Sequence, residues 1–206
     1  MDNIVHKYFD LSNKQRDQIE SMVSIYEFWN KKVNLISRRD LLFFYERHIL
    51  HSLSICKLLN FRANTKIMDL GTGGGFPGVP LAIMYPDVNF HLVDSINKKT
   101  KVLIDIAKEL KLSNINVINA RAEDINESYD FIVVRAVGRL DKLIKWTDNQ
   151  LSTVQNNTIL NGWLCLKGGD LTDEVSRIKH NISIYNISNF FEEDFFSTKK
   201  VIHVTK

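Results

Sequence analysis

The alternation of apolar and polar residues changes texture partway along the chain. Over residues 12–33 the apolar side chains Ile19, Met22, Val23, Tyr26, Trp29 and Val33 recur at three- and four-residue intervals, which predicts an amphipathic helix. Ser12 and Gln15, with capping-box spacing, mark its start. A second helical stretch is predicted over 40–59, with a break near Glu46. From Lys66 onward short apolar runs alternate with helical segments. Strands are predicted at 66–70, 89–93, 115–119, 129–134, 158–166, 182–187 and 201–205, and helices at 77–84, 98–110, 139–150 and 171–179. Asn156 and Asn157 mark a loop before the fifth strand. Such alternation implies a mostly parallel seven-stranded sheet with helices on both faces. The expected organisation is a helical extension over 1–64 packed on an α/β core over 65–206, compact as a whole.

Composition narrows the class. The chain has 206 residues, 44% hydrophobic and 25% charged, values of a globular protein large enough for one well-buried domain. No apolar run approaches the roughly 18 residues that a bilayer demands, and residues 1–10 lack the unbroken apolar stretch of a secretory leader. Cys56 and Cys165 lie far apart with no metal-ligand spacing, as expected of reduced thiols in a cytoplasmic protein. Charge is unevenly placed. Lys31, Lys32, Arg38, Arg39, Arg47, Lys57 and Arg62 face only Asp40 and Glu46 within 29–62, a segment suited either to a polyanionic partner or to a solvated helical face. Residues 170–194 reverse the balance.

The segment 68–78, MDLGTGGGFPG, carries the strongest chemical signal. It follows a strand and opens a helix, the context that a nucleotide-binding loop requires. Counted from Gly71, the third glycine of a dinucleotide fingerprint is replaced by Phe76. Asp69 ends the strand, where an acid suits the cationic amino and sulfonium groups of S-adenosylmethionine and opposes a pyrophosphate. Asp94, 23 residues after Gly71, stands where a carboxylate accepts from ribose hydroxyls of either ligand. After the third strand, residues 120–124 (ARAED) are placed either to bracket an adenine edge or to form a solvated turn. S-adenosylmethionine is therefore the expected cofactor on a Rossmann-like methyltransferase fold; a dinucleotide oxidoreductase is the competing reading.

After the fourth strand comes VVRAVGR (133–139), with no Asn/Asp-Pro-Pro-aromatic motif for amino-group methylation of adenine. Neither cysteine follows a proline, so a covalent thiol mechanism lacks its nucleophile. His48 and His51 lie three apart without a third ligand, and no metal site is expected. A ring nitrogen with an available lone pair, guanine N7 for one, needs in-line placement more than proton transfer. No catalytic residue is assigned; Arg135 is a candidate for positioning the base or the cofactor carboxylate, or else pairs at the sheet edge.

These residues resemble the glucose-inhibited-division-B (GidB) family, bacterial methyltransferases of small-subunit (16S) ribosomal RNA that modify guanine N7. The likeness lies in 29–37 (WNKKVNLIS), 47–52 (RHILHS), 69–81, 92–95 (LVDS), 135–136 (RA) and 166–168 (LKG). It implies cofactor contact at Gly71, Phe76, Ala122, Glu123 and Arg135, to which the general logic of the fold adds Gly73, Asp94 and Ser95. It also implies that the N-terminal helices and the basic face grip RNA, and it places Lys167 near the cleft. His51 stands where the family usually has aspartate, Val134 where it has serine and Gly74 where it has proline. A monomer acting on ribosomal RNA or the small subunit is expected. Methylation of another RNA or a small molecule, or RNA binding without catalysis, are the alternatives.

Overall fold

The computed structural model describes residues 4–206; residues 1–3 of the segment read as lacking a leader lie outside the described residues. A seven-stranded sheet runs in the order β3-β2-β1-β4-β5-β7-β6. Its strands are β1 (Lys66–Leu70), β2 (Asn89–Asp94), β3 (Ile115–Asn119), β4 (Phe131–Arg135), β5 (Gly162–Gly168), β6 (Asn181–Asn186) and β7 (Lys199–Thr205). β1 to β5 pair in parallel, and β7 lies antiparallel between β5 and β6.

The period of two seen in the sequence sorts side chains between two cores. Ile67, Phe90, Leu92, Phe131, Val133, Leu164 and Leu166 face one, while Met68, Val93, Ile132, Val134, Trp163 and Cys165 face the other. The first core is closed by α1 (Asn13–Asn30), α4 (Gly78–Met84) and α5 (Asn97–Glu109), together with the helical tract of residues 38–57. The second is closed by α6 (Leu140–Thr147) and the short α7 (Thr172–Val175). Trp163, fully buried, ties β5 to α6 by donating from Nε1 to Thr147 Oγ1 at 2.8 Å.

α1 begins with the predicted capping box between Ser12 and Gln15. Its buried face fastens other elements as well as packing on them. Gln15 Nε2 donates to the carbonyls of Ile83 and Met84 at the end of α4, and Gln18 Nε2 to that of Leu110 at the end of α5. These amides satisfy helix-terminal carbonyls that have no intrahelical partner.

Three elements differ from expectation. The tract predicted as helical over 40–59 with a break near Glu46 is α2 (Arg38–Leu41), a π-helical turn (Tyr45–Leu50) at that break, α3 (His51–Leu53) and a 3-10 turn (Ser54–Lys57). Ser52 and Ser54 hydroxyls donate to the carbonyls of His48 and His51, interactions that compete with a regular ladder and bend it. The fifth strand starts at Gly162 rather than 158, because Asn161 gathers the preceding loop by donating to the carbonyls of Ser152 and Val154. The helix expected over 171–179 is one turn, with Leu171, Val175 and Ile178 still packed on the second core.

Candidate active site

The glycine loop turns at the carboxyl end of β1, where a parallel sheet opens its crevice. Gly71 has φ +64°, and a Cβ there would also lie 2.6 Å from Val137 Cγ2. Asp69 is fully buried beneath the loop. Its Oδ2 accepts from Thr72 Oγ1 at 2.6 Å and from the Gly78 amide at 2.8 Å, so it closes the loop onto α4. Gly78 fits only without a side chain, since a Cβ would sit 2.2 Å from Leu92 Cδ2 and 2.6 Å from Asp69 Oδ2. Burial pushes the Asp69 carboxyl up to about 6, against the hydrogen bonds of Thr72 and Gly78 that favour its charge. Asp69, expected as a charge facing the ligand, is instead the clamp of the loop. Tyr26 of α1 completes this support by donating to the Gly74 carbonyl at 2.8 Å.

One cavity of about 620 Å3 collects Gly71, Gly73, Phe76, Asp94, Ser95, Ala122, Glu123 and Arg135, all eight residues named from the sequence. Its size falls within the range of small-molecule sites. Asp94 ends β2 and is buried, with Oδ2 accepting from the Gly73 amide at 2.9 Å and Oδ1 from the Ile96 amide at 2.8 Å. Each carboxylate oxygen therefore keeps acceptor capacity for a further donor. Ser95 is exposed beside it. Ala122 is buried in a 3-10 turn and Glu123 exposed on it, forming the third loop of this wall.

Arg135 ends β4, partly buried. Its Nη1 donates to the Arg47 carbonyl at 2.9 Å and its Nη2 lies 2.9 Å from His48 Nδ1, with the guanidinium 4.9 Å from the centre of the Phe76 ring. No carboxylate of the described residues lies within salt-bridge distance of it. Burial brings its pKa down to about 10, against the opposing pull of Asp69 and Tyr26. A guanidinium can only donate, so His48 Nδ1 accepts and its proton resides on Nε2. His48 is held neutral, down to about 3, by burial and then by Arg135; His51 is likewise pushed well below its ordinary value.

The rest of the lining comes from two segments distant in sequence. Residues 35–51 supply Leu35, Asp40, Arg47, His48 and His51, the 3-10 turn before β7 supplies Phe195, and the first residue of β7 is Lys199. Asn30 shapes the first of these: its side chain accepts from the Leu35 and Ile36 amides and donates to the Ile36 carbonyl. Sequence reasoning missed Phe195, Lys199 and Trp146 of α6, which also lines the cavity. No motif marks them, because only the strand pairing carries the 195–199 turn to this end of the sheet. Lys167 is engaged elsewhere, with its ammonium 2.7 Å from Glu174 Oε1 and bonded to the Gly138 carbonyl. Among the described residues no group of three His, Cys, Asp or Glu is placed to hold a metal ion, and no helix is long and apolar enough to cross a membrane.

A parallel sheet with a reversed final strand, helices on both faces and a glycine-loop cavity at the carboxyl strand ends define the class: a Rossmann-like, S-adenosylmethionine-dependent methyltransferase fold. Among solved structures, a precorrin-6y C5,15-methyltransferase from Geobacter metallireducens superposes with TM-score 0.58 at 13% identity, covering 84% of this chain and 91% of that one. TYW2 of M. jannaschii, solved in complex with AdoMet, gives TM-score 0.55 at 15% identity over 73% of this chain and 72% of that chain. These likenesses speak to the fold. The chain belongs to the GidB family, described as rRNA small subunit methyltransferase G, whose pattern matches residues 15–200. It is similar to the ribosomal RNA small subunit methyltransferase G of Phocaeicola vulgatus, 49% identical over 98% of this chain and 97% of that relative. The protein of the same name from Cytophaga hutchinsonii is 46% identical over 98% of both chains.

Proposed function

We propose that the chain methylates N7 of a guanine in small-subunit ribosomal RNA with S-adenosylmethionine as donor, acting as a single chain in the cytoplasm. The observation that carries this reading is the two-sided cavity in a member of this family. One side holds acceptors and a guanidinium without a carboxylate partner, matched to a zwitterionic nucleoside, and the other continues the most basic stretch of the sequence. When bound, S-adenosylmethionine supplies a methyl group on a sulfonium, whose departure leaves a neutral thioether.

The residues fit that group. Asp94, steadied by the Gly73 and Ile96 amides, would take the ribose hydroxyls, and Ser95 lies beside it. Ala122 and Glu123 would border the adenine, while Gly71 lets the backbone approach closely. Arg135, lacking a carboxylate partner, would take the methionine carboxylate, its orientation fixed by the Arg47 carbonyl, His48 and the Phe76 ring. N7 carries its own lone pair, so the chain need not remove a proton from it; placement and exclusion of water suffice. Neutral His48 and His51 suit this role, since neither adds positive charge beside a sulfonium. The 1–64 segment would be the RNA-facing part, with Arg38 and Arg39 exposed on it.

The test uses labelled S-adenosylmethionine with small subunits, and separately naked ribosomal RNA, from cells lacking the modification. Label at one guanine N7 is expected. Cofactor binding without transfer to either RNA substrate would contradict the proposed function.

A further inference from the structure

Part of the cavity lining carries a run of cations and rings. Phe43, 43% exposed, has its ring centre 4.0 Å from the Arg47 guanidinium carbon. That guanidinium lies 5.4 Å from the centre of the Phe195 ring, and Lys199 Nζ lies 4.8 Å from the same ring. Arg47, Phe195 and Lys199 line the cavity, whereas Phe43 and the 83% exposed Leu42 stand outside it at the solvent edge. Arg47 pairs with Asp40 through Nη1 at 3.0 Å, and its buried Nε has no partner. The phenyl ring of Phe195 is only partly buried, though the neighbouring Phe196 is fully packed in the core. Hydrophobic packing accounts for the buried Phe196, whereas Phe195 is only partly buried and keeps two cations beside its ring.

We propose that Phe195 and Arg47 form the stacking surface for the target purine, with Lys199 at the phosphate of the same nucleotide. Aromatic rings and guanidinium planes are the surfaces on which unstacked RNA bases lie, and an ammonium at the rim meets the backbone charge. The inference rests on the methyl-transfer reading above and adds the residues that receive the substrate. Guanine N7 faces the deep, narrow major groove of an RNA helix, so a base methylated there must leave its stack or come from a single strand. Phe195, Arg47 and Lys199 line the same cavity as Asp94, Ala122 and Glu123, so a base on Phe195 would share that cavity with the cofactor proposed above. Phe43 and Leu42 continue the surface outward for a neighbouring nucleotide.

The test compares Phe195→Leu with Phe195→Trp in the full chain. Phe195→Leu is expected to raise the KM for RNA roughly 5- to 100-fold, the range that base stacking supports, while the Kd for S-adenosylmethionine stays unchanged. Phe195→Trp is expected to recover most of that KM. Its added indole fluorescence, read against the unsubstituted chain, is expected to be quenched by a guanine-containing RNA oligonucleotide. An unchanged KM in Phe195→Leu, a weakened cofactor Kd, or an indole insensitive to RNA would each overturn the assignment. Absence of RNA methylation by the unsubstituted chain would instead count against the proposed function, which keeps the two failures apart.

Discussion

The two walls of the cavity are built in opposite ways. The glycine-loop side comes from short β–α turns whose backbone is pinned by carboxylates: Asp94 accepts from Gly73, and Asp69, beneath the loop, accepts from Gly78. The rest of the lining joins residues 35–51 to residues 195–199, about 150 positions away in sequence, through rings and cations rather than backbone hydrogen bonds. On the proposed assignment, a cofactor of fixed shape would be met by backbone geometry that tolerates little change, and a base on a large RNA by planes and charges.

The two walls share one support, and removing it has the largest expected effect. Tyr26 is fully buried and reaches the loop through Gly74, so Tyr26→Ala is expected to lower stability by about 3–5 kcal/mol in denaturant unfolding. Tyr26→Phe, losing the hydroxyl alone, is expected to cost about 1 kcal/mol and to loosen cofactor binding with it. A Tyr26→Phe protein with unaltered cofactor affinity would separate α1 from the loop. Next, Asp94→Ala is expected to weaken cofactor affinity by about 1–3 kcal/mol in calorimetry and to leave RNA affinity alone.

Changing Arg38 and Arg39 to Ala sharpens the contrast from the other side. Salt dependence of RNA binding is expected to flatten by about 0.7–0.9 in log–log slope for each phosphate left without its arginine, with cofactor affinity unchanged. An unaltered slope would move the RNA face elsewhere.

The smallest expected effect concerns acid. Folded His48 and His51 stay neutral below pH 6.5, where the unfolded chain takes protons, so their contribution weakens as pH falls through 6.5. Asp69 opposes them from about pH 6 down towards 3.8, because its folded carboxyl takes a proton more readily than its unfolded one. With His91 and His203 also held below the ordinary value, four histidines stand against the raised carboxyls of Asp69 and Glu46 and leave stability falling on acidification. His51→Gln is expected to flatten that acid limb, a result read from denaturant midpoints between pH 7 and 5; an unchanged limb would mean that His51 is not held neutral.

Legibility in the sequence follows the same divide. The sheet, the capping box of α1 and the glycine loop rest on local periodicity and turn chemistry, and the residues named for the cofactor wall meet in one cavity. Asp69 stands out in the sequence for the wrong reason, since position alone does not tell a carboxylate facing a ligand from one folded under its own loop. The interruption near Glu46 is legible, but its π-helical form and the 3-10 turn after it are not, because hydroxyl-to-carbonyl hydrogen bonds at Ser52 and Ser54 leave no mark on apolar spacing. Phe195 and Lys199 are hidden because an aromatic and a lysine beside an acidic stretch acquire meaning only when β7 pairs with β5.

The most direct measurement crosses the two walls: cofactor Kd and RNA Kd, each determined for Asp94→Ala and Phe195→Leu. Asp94→Ala is expected to weaken only cofactor binding and Phe195→Leu only RNA binding. If either substitution weakened the other ligand instead, the division of the cavity between donor and base would be contradicted.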